Sequence, residues 1–369
     1  MSESQPDRSE ARSYHRWQLR LGALGILLTA GYLAALLATG AAAHLRDLLA
    51  ARTLHWWLAV PSALLILGAG HQLLALPVSL LSGFWLPRRY GLSHQRLVSW
   101  LWDRVKGGLI GGGLATAGSL VVYGLLRSTP WWWLWAAAVF FGGYALLAFV
   151  TPIWLVPLFY RLTPLAEGDL RSRLLRLAER ARVPAVGVWI ADQSRRSRTA
   201  NAAVTGLGRT RRILLSDTLV NRFEPEEVEA VLAHELGHFK LRHVVKRMAW
   251  LAAASIATLW LLGWIMQQPW FYHGLNVQTP STAMALILFS IVLPQFTILL
   301  QPLGALLSRR HEFEADQFAA THASARDLVS ALIKLYRDNA ATLTPDPLHS
   351  VFYDSHPPAV ARIARLQKA

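Results

Sequence analysis

Residues 132–159 read WWLWAAAVFFGGYALLAFVTPIWLVPLF and contain no charged side chain. About 20 apolar helical residues cross the roughly 30 Å hydrocarbon layer of a bilayer. The run is therefore long enough to span a membrane, and it is too uniformly apolar for the amphipathic helix of a soluble core. Similar runs lie near residues 19–43, 56–86, 107–126, 247–266 and 283–307, which gives about six candidate spans. Tryptophans cluster at several of their ends: Trp56 and Trp57, Trp100 and Trp102, Trp131 to Trp133. That is the placement of an aromatic belt at the membrane–water interface.

Composition points the same way. Of 369 residues, 53% are hydrophobic and 16% charged, where a soluble protein carries about 25% charged residues. A disordered chain and an ordinary water-soluble enzyme are both excluded. The chain has 37 Lys+Arg against 22 Asp+Glu, a net charge of +15. A nucleic-acid binder would gather such charge on a polar domain. Here it lies between apolar runs: Arg8, Arg12, Arg16 and Arg20 before the first, Arg88, Arg89, Arg96, Arg104 and Lys106 between the second and third. Many arginines fall in 161–246, Arg309 and Arg310 follow the sixth run, and 267–282 has neither Lys nor Arg. The pattern predicts a multi-pass protein in a lipid bilayer, no nucleic-acid partner, and both termini and the polar segments in the cytoplasm. The basic start and the Gly40-Ala41-Ala42-Ala43 end of the first run have the look of a signal peptide. The run is longer than the usual 7–15 residues, so an uncleaved anchor is expected.

Within 161–246 the periodicity is mixed. Leu170–Ala181 has helical periodicity, with Leu170, Leu174, Leu175 and Leu177 apolar and Arg171, Arg173, Arg176, Glu179 and Arg180 polar. Gly187–Ala191, Asn201–Leu207 and Arg211–Ser216 read as strands, the last two joined by a turn at Gly208-Arg209-Thr210. Among polar residues inside apolar runs, His71, Gln72, Gln295 and Gln301 should face the protein interior or a chamber.

The chemistry concentrates at His234-Glu235-Leu236-Gly237-His238. A helix start precedes it, with Pro225 at the first helical position and Glu226 and Glu227 in the first turn. Residues i and i+4 share a helix face, so both imidazoles can hold one metal ion, with Glu235 beside it to take a proton from water. This is the pattern of a zinc hydrolase. The chain has no cysteine, so His and carboxylates must supply every ligand. A third ligand belongs to the stretch Arg309-Arg310-His311-Glu312-Phe313-Glu314-Ala315-Asp316. Spacing leaves His311, Glu312 and Glu314 all open. Glu312 and Asp316, at i and i+4, share a face, so one can ligate while the other orients a ligand histidine.

Five stretches carry a family likeness: YGLSHQ at 90–95, PLFYRLTPLAEGDL at 157–170, SRTANAAVTGLGRTRRILLSDTL at 197–219, HELGH at 234–238, and HEFEAD at 311–316 with SHPPAVARI at 355–363. In these the chain resembles the CAAX prenyl protease 1 type of integral-membrane zinc metalloproteases, with the HtpX-like membrane proteases as relatives. The likeness covers most of the chain from about residue 85. It implies Glu312 as third ligand of one Zn2+ per chain and Asp316 as its companion. It also implies His356 and Arg362 at the active site, where they stabilise an oxyanion, and Asn201 on the strand that lines the substrate groove. The implied fold is mostly α: polytopic membrane helices enclosing a water-filled chamber, with a small α/β metalloprotease region on the cytoplasmic side. Residues 1–160 would hold four spans, and 161–369 the protease region interwoven with the spans at 247–266 and 283–307. The eukaryotic members have seven helices, one more than the runs counted here.

The expected function is therefore endopeptidase hydrolysis with Glu235 as general base. Peptide or protein substrates, such as C-terminal or membrane-protein segments, would pair with the small-residue strand Asn201-Ala202-Ala203-Val204. The Arg-, Ala- and Trp-rich composition suggests a bacterial inner-membrane protein working in membrane-protein quality control. The alternative is a membrane scaffold or transporter-like protein with a structural or inactive zinc site.

Overall fold

The computed structural model describes residues 8–52, 55–183, 187–206, 210–278, 280–297, 301–338 and 356–368. The N-terminal part is helical: α1 (Arg8–Ala38), α2 (Ala41–Ala51), α3 (Trp56–Leu80), α4 (Leu86–Arg89), α5 (Leu97–Ser128) and α6 (Trp132–Val150). A π-helical stretch, Leu81–Trp85, joins α3 to α4, and a second, Thr151–Leu155, prolongs α6. Pro77 shortly precedes the first and Pro152 lies in the second. Proline lacks an N–H and crowds the carbonyl four residues back, so the helix widens locally instead of stopping.

Among the described residues a four-stranded sheet and nine further α-helices follow: β1 (Leu162–Pro164), α7 (Asp169–Arg180), β2 (Val188–Ala191), β3 (Ala202–Thr205), β4 (Arg212–Ser216), α8 (Asp217–Arg222), α9 (Pro225–Lys240), α10 (His243–Ile265), α11 (Pro269–Gly274), α12 (Thr282–Thr297), α13 (Gln301–His322), α14 (Ala325–Asp338) and α15 (Ala359–Leu366).

Among the described residues five helices are long and apolar enough to cross a membrane: Ser13–Ala38, Trp57–Arg89, Leu97–Ser128, Trp132–Leu158 and His243–Ile265. They correspond to five of the six expected runs. The sixth, 283–307, is represented by α12 and the start of α13. Residues 298–300 and the side chains of Gln295 and Gln301 lie outside the described residues. Leu27, Leu73, Leu109 and Trp154 are exposed on these helices, as befits a surface that lipid covers.

The spans and α12 line a partly open cavity of about 760 Å³, with residues of α1, α3, α5, α6, α10 and α12 on its walls, Thr29, His71, Ser119 and Thr258 among them. His71 reaches that interior, its Nε2 3.0 Å from Thr29 Oγ1. Gln72, about 100° further round the helix, is exposed.

The sheet order is β1-β2-β4-β3, with β1 antiparallel to β2, β2 parallel to β4, and β3 antiparallel to β4. The expected hairpin is therefore present, although its turn residues 207–209 lie outside the described residues. Gly206, at φ +88°, leads out of β3, and a Cβ there would collide with the Thr210 carbonyl, so only glycine fits. β1 was not foreseen. Three residues are too few for a period-2 signal, and its Pro164 cannot donate to a ladder, which suits the sheet edge. Leu174 and Leu177 of α7, Ile213 and Leu215 of β4, Leu232 and Leu236 of α9, Leu328 of α14 and Leu366 of α15 share one core. That core holds α9 against the sheet on one side and α13 and α14 on the other.

Candidate active site

The helix that carries HELGH is anchored at its start. Pro225 opens α9, and the Glu224 N–H donates to Glu227 Oε2 at 2.9 Å, closing a capping box. The Glu227 carboxylate also accepts from Ser330 Oγ and Lys334 Nζ of α14, both at 2.6 Å. Burial opposes its ionisation, but Lys334, Ser330 and the Glu224 N–H outweigh it and hold the carboxyl below its ordinary value. Further along, α13 crosses at Gly237. A Cβ on that glycine would lie 3.1 Å from both Ala315 Cα and Phe318 Cβ. The missing side chain lets the two helices approach closely and brings the 312–316 face of α13 onto the histidines.

His234 Nε2 and His238 Nε2 are 3.2 Å apart. Glu312 Oε2 lies 3.5 Å from the first and Oε1 3.3 Å from the second. A tetrahedral ion with bonds of about 2.0–2.2 Å separates its ligand atoms by roughly 3.3–3.6 Å. Two imidazoles and a carboxylate at these spacings fit one small divalent cation. Around them, Asp316 Oδ1 is 2.9 Å from His234 Nδ1. Arg362 donates from Nε and Nη2 to the two Asp316 oxygens at 2.8 and 2.6 Å, and its Nη1 is 3.4 Å from Glu312. His356 Nδ1 lies 2.6 Å from Glu312 Oε2, while its side chain stays 60% exposed. Glu312, Asp316 and Arg362 are buried.

Electrostatics favour a cation here. Burial opposes charge on His234, but Asp316 and Glu312 outweigh it and push its pKa up to about 9. Burial likewise opposes ionisation of Glu312, yet its bonds to His234, His238 and His356 hold it well below the usual carboxylate range. Glu235 behaves oppositely. Half-buried in α9, its carboxyl is raised by desolvation more than His234 and His238 lower it.

Of the three residues left open by spacing, Glu312 alone turns to the histidine pair. Glu314 and His311 face His243 instead. Asn201 stands one residue before β3, outside the strand expected to include it. Its N–H donates to Ser216 Oγ and its carbonyl accepts from the Ser216 N–H, both at 2.9 Å. Ala202 and Ala203 begin β3, which pairs only with β4 among the described strands and packs beside α9. Sequence reading gave no role to His243. Its signal is its place five residues beyond His238, past the end of α9.

Residues 164–369, more than half of the chain, match the model of Peptidase family M48. The chain belongs to this family. Residues 3–161 match a second model, described as CAAX prenyl protease N-terminal, five membrane helices. In this M48 chain four long spans lie in that range, together with α2, whose 11 residues are too few to cross a bilayer. A CAAX prenyl protease 1 homolog of Arabidopsis thaliana is 32% identical over 300 residues, covering 79% of this chain and 69% of the relative. The CAAX prenyl protease 1 of Saccharomyces cerevisiae is 30% identical over 321 residues, covering 82% and 70%. An uncharacterized metalloprotease of Bacillus subtilis, YhfN, is 29% identical over 297 residues, covering 78% and 68%. The crystal structure of S. mikatae Ste24p superposes with a TM-score of 0.87 at 25% identity, over 97% of this chain and 88% of that one. The chain is a multi-pass membrane metalloprotease of the CAAX prenyl protease kind, metal-dependent and acting on peptide or protein substrates.

Proposed function

We propose that this protein is a zinc endopeptidase whose ion is held by His234, His238 and Glu312, with Glu235 as general base. The observation that carries the reading is the donor triangle of 3.2, 3.3 and 3.5 Å. Zinc in such a site supplies Lewis acidity, acidifying a water and polarising a peptide carbonyl. The chain's residues do the rest. Glu235, its carboxyl raised by burial, takes the proton from the attacking water and returns it to the leaving amine. Asp316 accepts from His234 Nδ1–H and so leaves the Nε2 lone pair facing the donor triangle. His356 and Arg362 divide the oxyanion work. His356, exposed beside Glu312, supplies the hydrogen bond to the developing negative oxygen. Arg362 has two donors committed to Asp316 and contributes its charge while holding that carboxylate in place.

Substrate lies extended along the open edge of β3, at Asn201, Ala202 and Ala203, where backbone pairing selects little sequence. The names of the relatives from Arabidopsis and yeast support C-terminal segments as one substrate class, and embedding in lipid supports membrane-protein segments as another. The Bacillus relative supports a bacterial source, and the proposal extends this, on the Arg-, Ala- and Trp-rich composition, to an inner-membrane protein working in membrane-protein quality control. The distribution of Lys and Arg supports cytoplasmic termini. Residues 1–160 and 161–369 form two interwoven portions, a division supported by the two family matches meeting at residues 161 and 164.

The test is Glu235→Gln in purified protein. Cleavage of a fluorogenic peptide is expected to fall by about 10²–10⁴-fold while zinc content by mass spectrometry stays at one ion per chain. A variant that cleaves as fast as the parent would sink the reading. The same variant, expressed in membranes, should retain bound fragments of membrane proteins. Fragments drawn only from soluble proteins would count against the quality-control role.

A further inference from the structure

His243 opens the membrane helix α10, is 4% exposed, and takes no part in the mechanism above. The turn before it explains its position. Arg242 adopts a left-handed backbone at φ +57°, which folds the start of α10 back over the last turn of α9. His243 Nδ1 then lies 3.0 Å from His238 Nδ1, and His243 Nε2 lies 2.9 Å from Glu314 Oε2. The His311 ring stacks on that of His243, with centroids 4.1 Å apart and planes 12° apart, which restrains the imidazole's orientation. Glu314 is in turn approached by Lys246 at 3.6 Å and Arg310 at 3.7 Å.

The proton positions follow from the donor triangle. His238 turns Nε2 towards His234 and Glu312, so that atom must keep its lone pair to serve a cation. Its proton sits on Nδ1 and is donated to His243 Nδ1. His243 therefore carries its own proton on Nε2 and donates it to Glu314. We infer that His243 and Glu314 are positioning residues for the metal centre, a second orienting arm that sets the tautomer and ring plane of His238 as Asp316 does for His234. The inference rests on the reading of His238 as a ligand. The two arms differ in build. Asp316 acts directly from a buried site, whereas Glu314 acts through an interposed imidazole and is itself half-exposed. Metal retention is thereby tied to the junction between the HELGH helix and a membrane span.

Zinc affinity of the full-length protein in detergent, measured by competition with a chromophoric chelator, tests the arm. His243→Phe keeps a ring for the His311 stack but removes the acceptor, and is expected to weaken zinc binding about 10–100-fold. His243→Asn places an amide oxygen where Nδ1 stood and should recover most of that loss. Activity of the Phe variant should return on addition of excess zinc, and its metal-free unfolding midpoint should match the parent's. If the Phe variant aggregates, Glu314→Ala reads the same arm from a more tolerant position, with weakened binding again expected. An affinity indistinguishable from the parent's in the folded Phe or Ala variant overturns the inference, as does equal loss in Phe and Asn. His238→Ala is the separating control. Undiminished zinc affinity there overturns the ligand assignment itself, and the arm with it.

Discussion

At Asp316 and Arg362 the site places a carboxylate and a guanidinium together in a buried position, joined at 2.6 and 2.8 Å. Arg362→Ala leaves the Asp316 charge without its partner and should cost about 3–5 kcal/mol, read as a lowered thermal unfolding midpoint. Asp316→Asn keeps the shape but weakens acceptance from His234 Nδ1–H. Zinc affinity should fall about 10–100-fold in the chelator competition, with the fold intact. The pair of histidines was legible in the sequence because i and i+4 share a helix face whatever the surroundings. The third donor was not. His311, Glu312 and Glu314 are all reasonable ligands, and only the packing of α13 separates them. Glu312 and Asp316 share the face that meets α9, whereas His311 and Glu314 lie on a face that meets the start of α10.

Among the elements, the contact between α9 and α13 has little slack. Gly237→Ala would press a methyl group against Ala315 and Phe318 at 3.1 Å, costing about 1–3 kcal/mol. Because the same contact seats Glu312, zinc affinity should drop alongside the unfolding midpoint. Loss of stability with unchanged affinity would show that the helix crossing does not set the donor spacing. The start of α9 predicts a pH effect. The Glu227 carboxyl is lowered from its usual 4.5 in the folded state, so the unfolded chain binds its proton more readily. Its contribution is full above the unfolded value and is lost as pH falls through the folded one. Glu227→Gln should therefore flatten the acid limb of the unfolding midpoint, measured from pH 6 downward through pH 4.5 and below. The start of α9 and the periodicity of α7 were readable from local sequence. The extent of α5 was not: the apolar run begins near residue 107, but the helix begins at Leu97. Asp103, Arg104 and Lys106 are helical too, with Asp103 and Lys106 paired at 2.8 Å. Hydropathy marks where a helix enters lipid, and a helix can start well before that.

On the scale of the whole molecule, the absence of cysteine makes topology directly measurable. Single cysteines at Arg89 and Lys368, both exposed, should react with a membrane-impermeant maleimide only after the cytoplasmic side is opened. One at Gln278, exposed in the loop that lacks Lys and Arg, should react in intact cells. The reverse labelling would invert the proposed orientation. Chain chemistry alone determined that the protein sits in lipid, roughly how often it crosses, and that a His-based metal site begins at HELGH. Each of these depends on a run of residues read locally, by apolar length or by helical period. The tertiary structure turned Glu312 rather than His311 or Glu314 to the histidine pair, set His243 against His238, placed β3 at the end of the described sheet and shaped the cavity among the helices. Those depend on which helix faces meet across long stretches of chain, and that is set by packing, by the gap left at Gly237 and by the turn at Arg242.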